Sequence, residues 1–309
     1  MAIDFSTTYP WSTMETVTID GQAMVKIPKF YVKYGVIPAG RPNAGKKGRW
    51  VSEKKFPDYH IHPAFVKNGY VMDCFYIASY EAYNAGSNKA GSAPNQTPWT
   101  NVGGFANAKT YCANRGEGWH LQNIYEIGTV NILLLIELGT PNVQTAIAMG
   151  NVNSSSNAVM ATGTTDAVWR DIHEWWGNVY EHVDGITTSG NNVYQIFSNK
   201  MDGTYVSTGV ALPSEGWTTE MSEEKGTNFD LTDVFLPSVA DSTESNGTYG
   251  DYSNSANISI PLCSYRSGMY NENSKAGAFY LRTRDSYNNS YEYLGFRLAK
   301  EGTVTEEVA

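Results

Sequence analysis

Residues 265–300 read YRSGMYNENSKAGAFYLRTRDSYNNSYEYLGFRLAK, where small and aromatic fixed points frame a dense run of Asn, Ser and Tyr. Between Tyr270 and Tyr293, 12 of 24 residues are Tyr, Asn or Ser, which is the composition of a binding surface. Tyr gives a large amphipathic contact at low rotamer cost, and Asn and Ser give adaptable hydrogen bonds. A buried core would be dominated by Leu, Ile and Val instead. The side chains expected to make contacts are Met269, Tyr270, Asn271, Asn273 and Ser274 on the first arm of the stretch. Tyr280, Arg282, Arg284 and Asp285 follow, and then Tyr287, Asn288, Asn289, Ser290, Tyr291 and Tyr293, with Tyr and Arg as the anchors.

Outside this stretch, 309 residues suffice to bury a core without disulfides or metals, as one large domain with long insertions. A formal charge of −9 removes the basic footprint of a phosphate-backbone binder, so nucleic acid is excluded as a partner. Glycine at 29, tyrosine at 21 and only 17% charged residues point to short elements and many loops, an α+β or β-rich domain. Cys74, Cys112 and Cys263 are odd in number and lack CxxC spacing, which reads as three buried free thiols. The start, MAIDFSTTYPWSTMETV, has neither a basic segment nor an apolar stretch, so synthesis in the cytoplasm without a Sec signal is expected. The longest apolar run, Ile132 to Ile136, is too short to span a bilayer, and no membrane insertion is expected.

Along the chain, residues 1–23 read as an arm or attachment segment, 24–300 as the domain, and 301–309 as a fraying tail. Met24 to Tyr34 alternates as a strand and hairpin, and Ala39 to Lys55 as an exposed loop. His60 to Phe65 and Tyr70 to Tyr80 give a second strand set. Phe105, Ala108, Tyr111 and Cys112 share a helical face that stops near Gly116. Ile124, Ile127, Val130, Leu134 and Leu138 form a longer helical stripe with Gly139 as its C-terminal cap. Asn151 to Asp166 reads as loop, and Thr187 to Asn257 as short strands with turns.

Four blocks in order, FYIASYEAY at Phe75, FANAKTYCANRGEGWHL at Phe105, HEWWGNVYEHVDG at His173 and the closing YRSGMYN…YLGFRLAK, resemble the formylglycine-generating-enzyme branch of the C-type lectin fold. The resemblance covers roughly Met24 to Lys300. It implies an α+β fold of two helices around short, mostly antiparallel strands. The closing block is most similar to the variable proteins of diversity-generating retroelements, and DVFLPSV at Asp233 and GTYGDYS at Gly247 resemble phage tail-associated members of that group. The resemblance implies a receptor-binding protein of a phage or prophage tail, with a diversified surface at 264–300 directed at a host-surface protein or glycan. It also implies a tail-assembly partner or a homo-oligomer such as a trimer. A structural tail or baseplate component without its own ligand is the alternative.

The aromatic block Trp175, Trp176 and Tyr180 reads as scaffold. In GFRL, Phe296 and Leu298 face the core, and Arg297 pairs with a carboxylate or caps carbonyls. Relatives with enzymatic activity use the GNVYEH region for calcium, which by resemblance puts Asn178 and Glu181 forward as oxygen donors. The oxidases of this fold need a cysteine pair near an RGGSW-like frame. None follows Arg266-Ser267-Gly268-Met269-Tyr270 here, so no catalysis and no cofactor are expected. His60 and His62, two apart, suit one face of a metal pair, but no third ligand is placed by sequence and a structural role is the reading. HEWW lacks the second histidine of a zincin, and no phosphate loop or GxSxG elbow is present.

Overall fold

The computed structural model describes residues 3–256 and 259–307. The elements that position the 264–300 stretch are, in chain order, β1 (Glu15–Ile19), β2 (Gln22–Pro28), β3 (Cys74–Ala78), α1 (Phe105–Ala113), β4 (Trp119–Leu121) and α2 (Ile124–Leu138). They continue with β5 (Tyr180–Val183), β6 (Gly216–Met221), β7 (Pro237–Asp241), β8 (Tyr252–Ser255), β9 (Cys263–Ser267), β10 (Gly277–Asp285), β11 (Leu294–Gly295) and β12 (Leu298–Glu301). A five-stranded sheet runs β1-β2-β3-β12-β4 and a seven-stranded sheet β7-β6-β8-β10-β9-β5-β11. In these sheets β5 pairs with β11 and β8 with β10 in parallel; the other pairings are antiparallel. The chain is mostly β-sheet with few helices.

α2 shares one hydrophobic core with both sheets, among others with Ile77 and Ala299 of the first and Val183 and Leu281 of the second. Asn123 accepts from the Tyr125 and Glu126 amides while Glu126 accepts from the Asn123 amide, a capping box, and Gly139 closes the helix in the left-handed region at φ 68°. The expected stripe is buried through Leu134, but so are the other faces from Ile124 to Leu134. A helix apolar all round belongs in an interior. Its few polar groups are satisfied there: Asn131 donates to the Ala278 carbonyl of β10 at 2.8 Å and accepts from Trp175 Nε1 at 2.9 Å. Gly128 lets the carbonyl of Asp233 lie directly against the helix, where a Cβ would collide with it.

Two expectations at the termini are corrected. Within the described part of 1–23, residues 3–23 are no separate arm: β1 forms a hairpin with β2 through Asp20-Gly21, both at positive φ as a two-residue turn requires, and Trp11 is buried and donates to the Leu133 carbonyl. The polar alternation of ETVTI is that of an edge strand with one wet face. Val304–Glu307 does not fray; it pairs with Tyr70–Met72. The hairpin expected over Met24 to Tyr34 is instead split, since Tyr31–Val36 belongs to another sheet with Lys47–Ser52 and His60–Ile61. Lys47–Ser52 therefore forms a strand within the stretch read as exposed loop.

The aromatic block is core, as expected. Trp175 and Trp176 are 0% exposed, and Trp176 Nε1 donates to the Ala148 carbonyl at 3.0 Å. Trp176→Ala is expected to cost about 3–5 kcal/mol, measured as a fall in denaturation midpoint.

Candidate ligand-binding surface

The surface rests on a buried ionic frame. Glu181 on β5 is fully buried between two arginines: Arg266 Nη1 from β9 at 2.8 Å and Arg297 Nε at 2.9 Å. Arg266 also donates to the Trp175 carbonyl and lies over that indole at 3.6 Å. Arg297 donates to the carbonyls of Ala78, His173 and Glu174, so it both pairs with a carboxylate and caps carbonyls. Burial alone would raise the Glu181 pKa, but Arg297 and Arg266 outweigh it and hold the carboxyl below its usual range. Glu81 nearby goes the other way, pushed well above by burial and by the charges of Glu174 and Glu181.

On this frame the 264–300 stretch is tied down by its main chain. The carbonyl of Tyr270 accepts from Ser154 N (2.7 Å), that of Tyr287 from Phe105 N (2.9 Å), that of Tyr291 from Asn101 N (2.9 Å) and that of Tyr293 from Tyr180 N (2.9 Å). Asn273 N donates to the Val152 carbonyl and Tyr270 N to that of Asn178. Close approach is secured by small residues. At Gly268 a Cβ would press into Ala276, and at Gly277 it would fall on the Asp251 carboxylate.

The structure divides the fifteen expected contact residues. Asn271, Asn273, Ser274 and Asn288 are exposed; Met269, Tyr270, Arg282, Arg284, Tyr287, Asn289, Ser290, Tyr291 and Tyr293 are half-buried. Tyr291 and Tyr293 stack at 5.1 Å, and Tyr270 meets Tyr293 edge-on at 6.5 Å, a continuous aromatic ridge. Arg284 reaches Asn254 and, at 3.4 Å, Glu215. Tyr280 and Asp285 depart from the expectation that the set faces water. Tyr280 is 1% exposed, stacked on Tyr180 with their hydroxyls 3.1 Å apart, and cannot touch a ligand. Asp285 is buried as the hub of a loop brace, accepting from Arg282 Nε (2.6 Å), Asn289 Nδ2 (3.0 Å) and the Tyr291 hydroxyl (3.2 Å). Asn273 sits at φ 55°, and Ser290 links Gly103 N to Asn101, so these side chains shape the backbone as well.

Sequence reading missed neighbours brought in from other elements. Tyr180 donates to Glu272 and carries the Arg282 guanidinium over its ring at 5.5 Å, Lys275 lies 4.3 Å from the Tyr252 ring, and Asn157 accepts from Asn271. Only Glu272 and Lys275 lie within the stretch, where their charge set them outside the Tyr, Asn and Ser pattern.

The calcium reading of Asn178 and Glu181 does not hold. Asn178 Oδ1 accepts from Asn151 and from Met160 N, and both Glu181 oxygens are engaged by arginines and Gln122, leaving no donor set for a cation. The three cysteines are free and buried, as expected. Cys263 Sγ lies 3.6 Å from His182 Nδ1, and burial takes the His182 pKa down to about 3. His120 differs: burial opposes its charge, but Glu126 at 2.7 Å and the Gly118 carbonyl prevail and raise it to about 9. Since the folded value lies above the unfolded one of about 6.5, this pair stabilises fully below that pH and is lost as pH rises through about 9. NMR titration is expected to show one histidine titrating near 9, absent in His120→Gln, and stability falling more steeply between those pH values in the parent chain than in the variant.

No protein-family model and no curated protein matches the chain. Similar solved structures include Treponema denticola variable protein 1, at 11% identity over 93% of this chain and 99% of that one, TM-score 0.43. The Major Tropism Determinant P3c variant is similar at 10% identity over 94% and 87%, TM-score 0.40. PvdO from Pseudomonas aeruginosa is similar at 12% identity over 93% and 98%, TM-score 0.41.

Proposed function

We propose that the chain is a ligand-binding protein of the C-type lectin fold, of the formylglycine-generating-enzyme type, in which residues 24–300 form the domain and 264–300 a diversifiable surface. It acts on a phage or prophage tail as the receptor-binding protein and contacts a host-surface protein or glycan. The observation that carries this reading is the tying of the stretch through main-chain carbonyls and amides to Asn101, Phe105, Val152, Ser154, Asn178 and Tyr180. Main-chain bonds do not depend on side-chain identity, so Tyr270, Asn271, Ser274, Asn288, Tyr291 and Tyr293 can change while the frame holds. Recognition without catalysis is the role proposed. Burial raises the thiol pKa of Cys112 and Cys263 well above its ordinary value and that of Cys74 to about 11, opposite to what a reactive thiolate needs.

The test is a library randomised at those six positions, displayed and selected against lysozyme. Binders that lose affinity when the six residues revert to the parent set are expected. A library of folded members yielding no binder would leave the structural tail component as the better reading. In the encoding DNA, a near-copy of the 264–300 coding stretch, differing mainly at adenines and lying beside a reverse transcriptase gene, is the further expectation; its absence would remove the diversification claim.

A further inference from the structure

We propose that His60, Asp230 and Asp233 form a site for a divalent transition-metal ion, opening into a cavity of about 650 Å³. The site lies apart from the 264–300 surface and does not depend on its function. His60 starts the short strand His60–Ile61, while Asp230 caps and Asp233 ends the 3₁₀ turn Leu231–Asp233. One ligand atom from each lies within 4.8 Å of the other two. Nitrogen and oxygen ligands about 2.1 Å from such an ion stand about 3.4 Å from each other in a tetrahedral set. The cluster closes on an ion with movements on the order of an ångström.

Each side chain is oriented for the task. The Asp233 side chain is 2% exposed, and its carboxylate faces His60 Nε2 at 2.7 and 3.0 Å. A carboxylate so placed calls for a cation beside it. Asp230 is held by its Oδ1, which accepts from Thr232 N at 2.9 Å and Thr232 Oγ1 at 2.5 Å, the kind of outer support that metal-ligating carboxylates have. Its other oxygen meets Lys225 Nζ at 2.5 Å. That lysine side chain is 54% exposed, and an exposed pair contributes little, so an ion can displace the ammonium into water.

His62, which sequence spacing offered as the second ligand, is excluded by its own bonds. Its Nε2 lies 2.9 Å from the Asp233 carbonyl and its Nδ1 2.9 Å from Thr129 Oγ1, so it braces the turn from behind. One imidazole and two carboxylates suit zinc, manganese or iron(II) rather than a soft ion. Three protein ligands leave positions open toward the cavity, whose wall includes Tyr31, Tyr59, Phe229, Lys55 and Lys200, room for water or an anionic oxygen ligand.

Calorimetric titration of the chelator-treated full chain with zinc chloride, and separately with manganese chloride, is expected to show one saturable site. His60→Ala and Asp233→Asn should weaken it by about 100-fold or more, beyond what loss of an outer-sphere partner does. Lys225→Met, an exposed change that removes the competing cation, should tighten it, a gain that misfolding cannot mimic. Absence of saturable binding, undiminished binding in His60→Ala, or unchanged or weaker binding in Lys225→Met would overturn the site.

Discussion

Glu181→Ala is expected to be among the most damaging single substitutions in this chain. It leaves Arg266 and Arg297 buried without their shared carboxylate, and breaking a buried pair from one side costs about 3–5 kcal/mol. Domains have about 5–15 kcal/mol in all, so the variant should lose a large part of its stability, read as a shift in denaturant midpoint. The loss reaches further than one pair. Arg297 holds β12 to carbonyls of β3 and of the Trp175 block, and Arg266 holds β9 to the same indole. An unchanged midpoint would mean the arginines find other partners and the frame is not ionic at its centre.

The second large effect is expected at Gly277, where β10 begins. An alanine Cβ there would fall on the Asp251 carboxylate, which is 2% exposed and accepts from Phe279 N at 2.6 Å. If Asp251 steps aside, a buried amide loses its partner; if it stays, the strand must move off β9 and β8. Either way about 2–4 kcal/mol is lost, the combined scale of overpacking and of an unmade buried hydrogen bond. Ser274→Ala, three residues earlier and exposed, should leave the midpoint in place. Equal effects of the two changes would show that the stretch is not divided into frame and surface.

Local signals were legible where the physics is local. The stripe and the closing glycine mark both ends of α2, and ring content marks the Trp-rich block as scaffold. Long-range pairing was not legible. Glu181 meets Arg266 and Arg297 from 85 and 116 positions away, and no periodicity reports that three charges converge. Tyr280 shows a different limit. Composition treats the five tyrosines alike, but Tyr280 lies within β10 and slides beneath Tyr180, whereas Tyr291 and Tyr293 lie past the strand's end. Asp285 sits among the expected contacts in the sequence, and nothing local reports that its carboxylate is spent bracing the loop. β1 is hard to see in the sequence because a half-wet edge strand carries too few apolar residues to announce itself.

The account stands on the separation of frame from surface, and one unfolding measurement tests it most directly. Tyr270→Ser, Asn271→Ser, Ser274→Asn, Asn288→Ser, Tyr291→Ser and Tyr293→Ser are combined in one chain, and its thermal unfolding is compared with that of the parent and of Glu181→Ala. The combined variant is expected to unfold in a single cooperative transition, with a midpoint closer to the parent than that of Glu181→Ala. Loss of the cooperative transition, or a midpoint as low as that of Glu181→Ala, would contradict it.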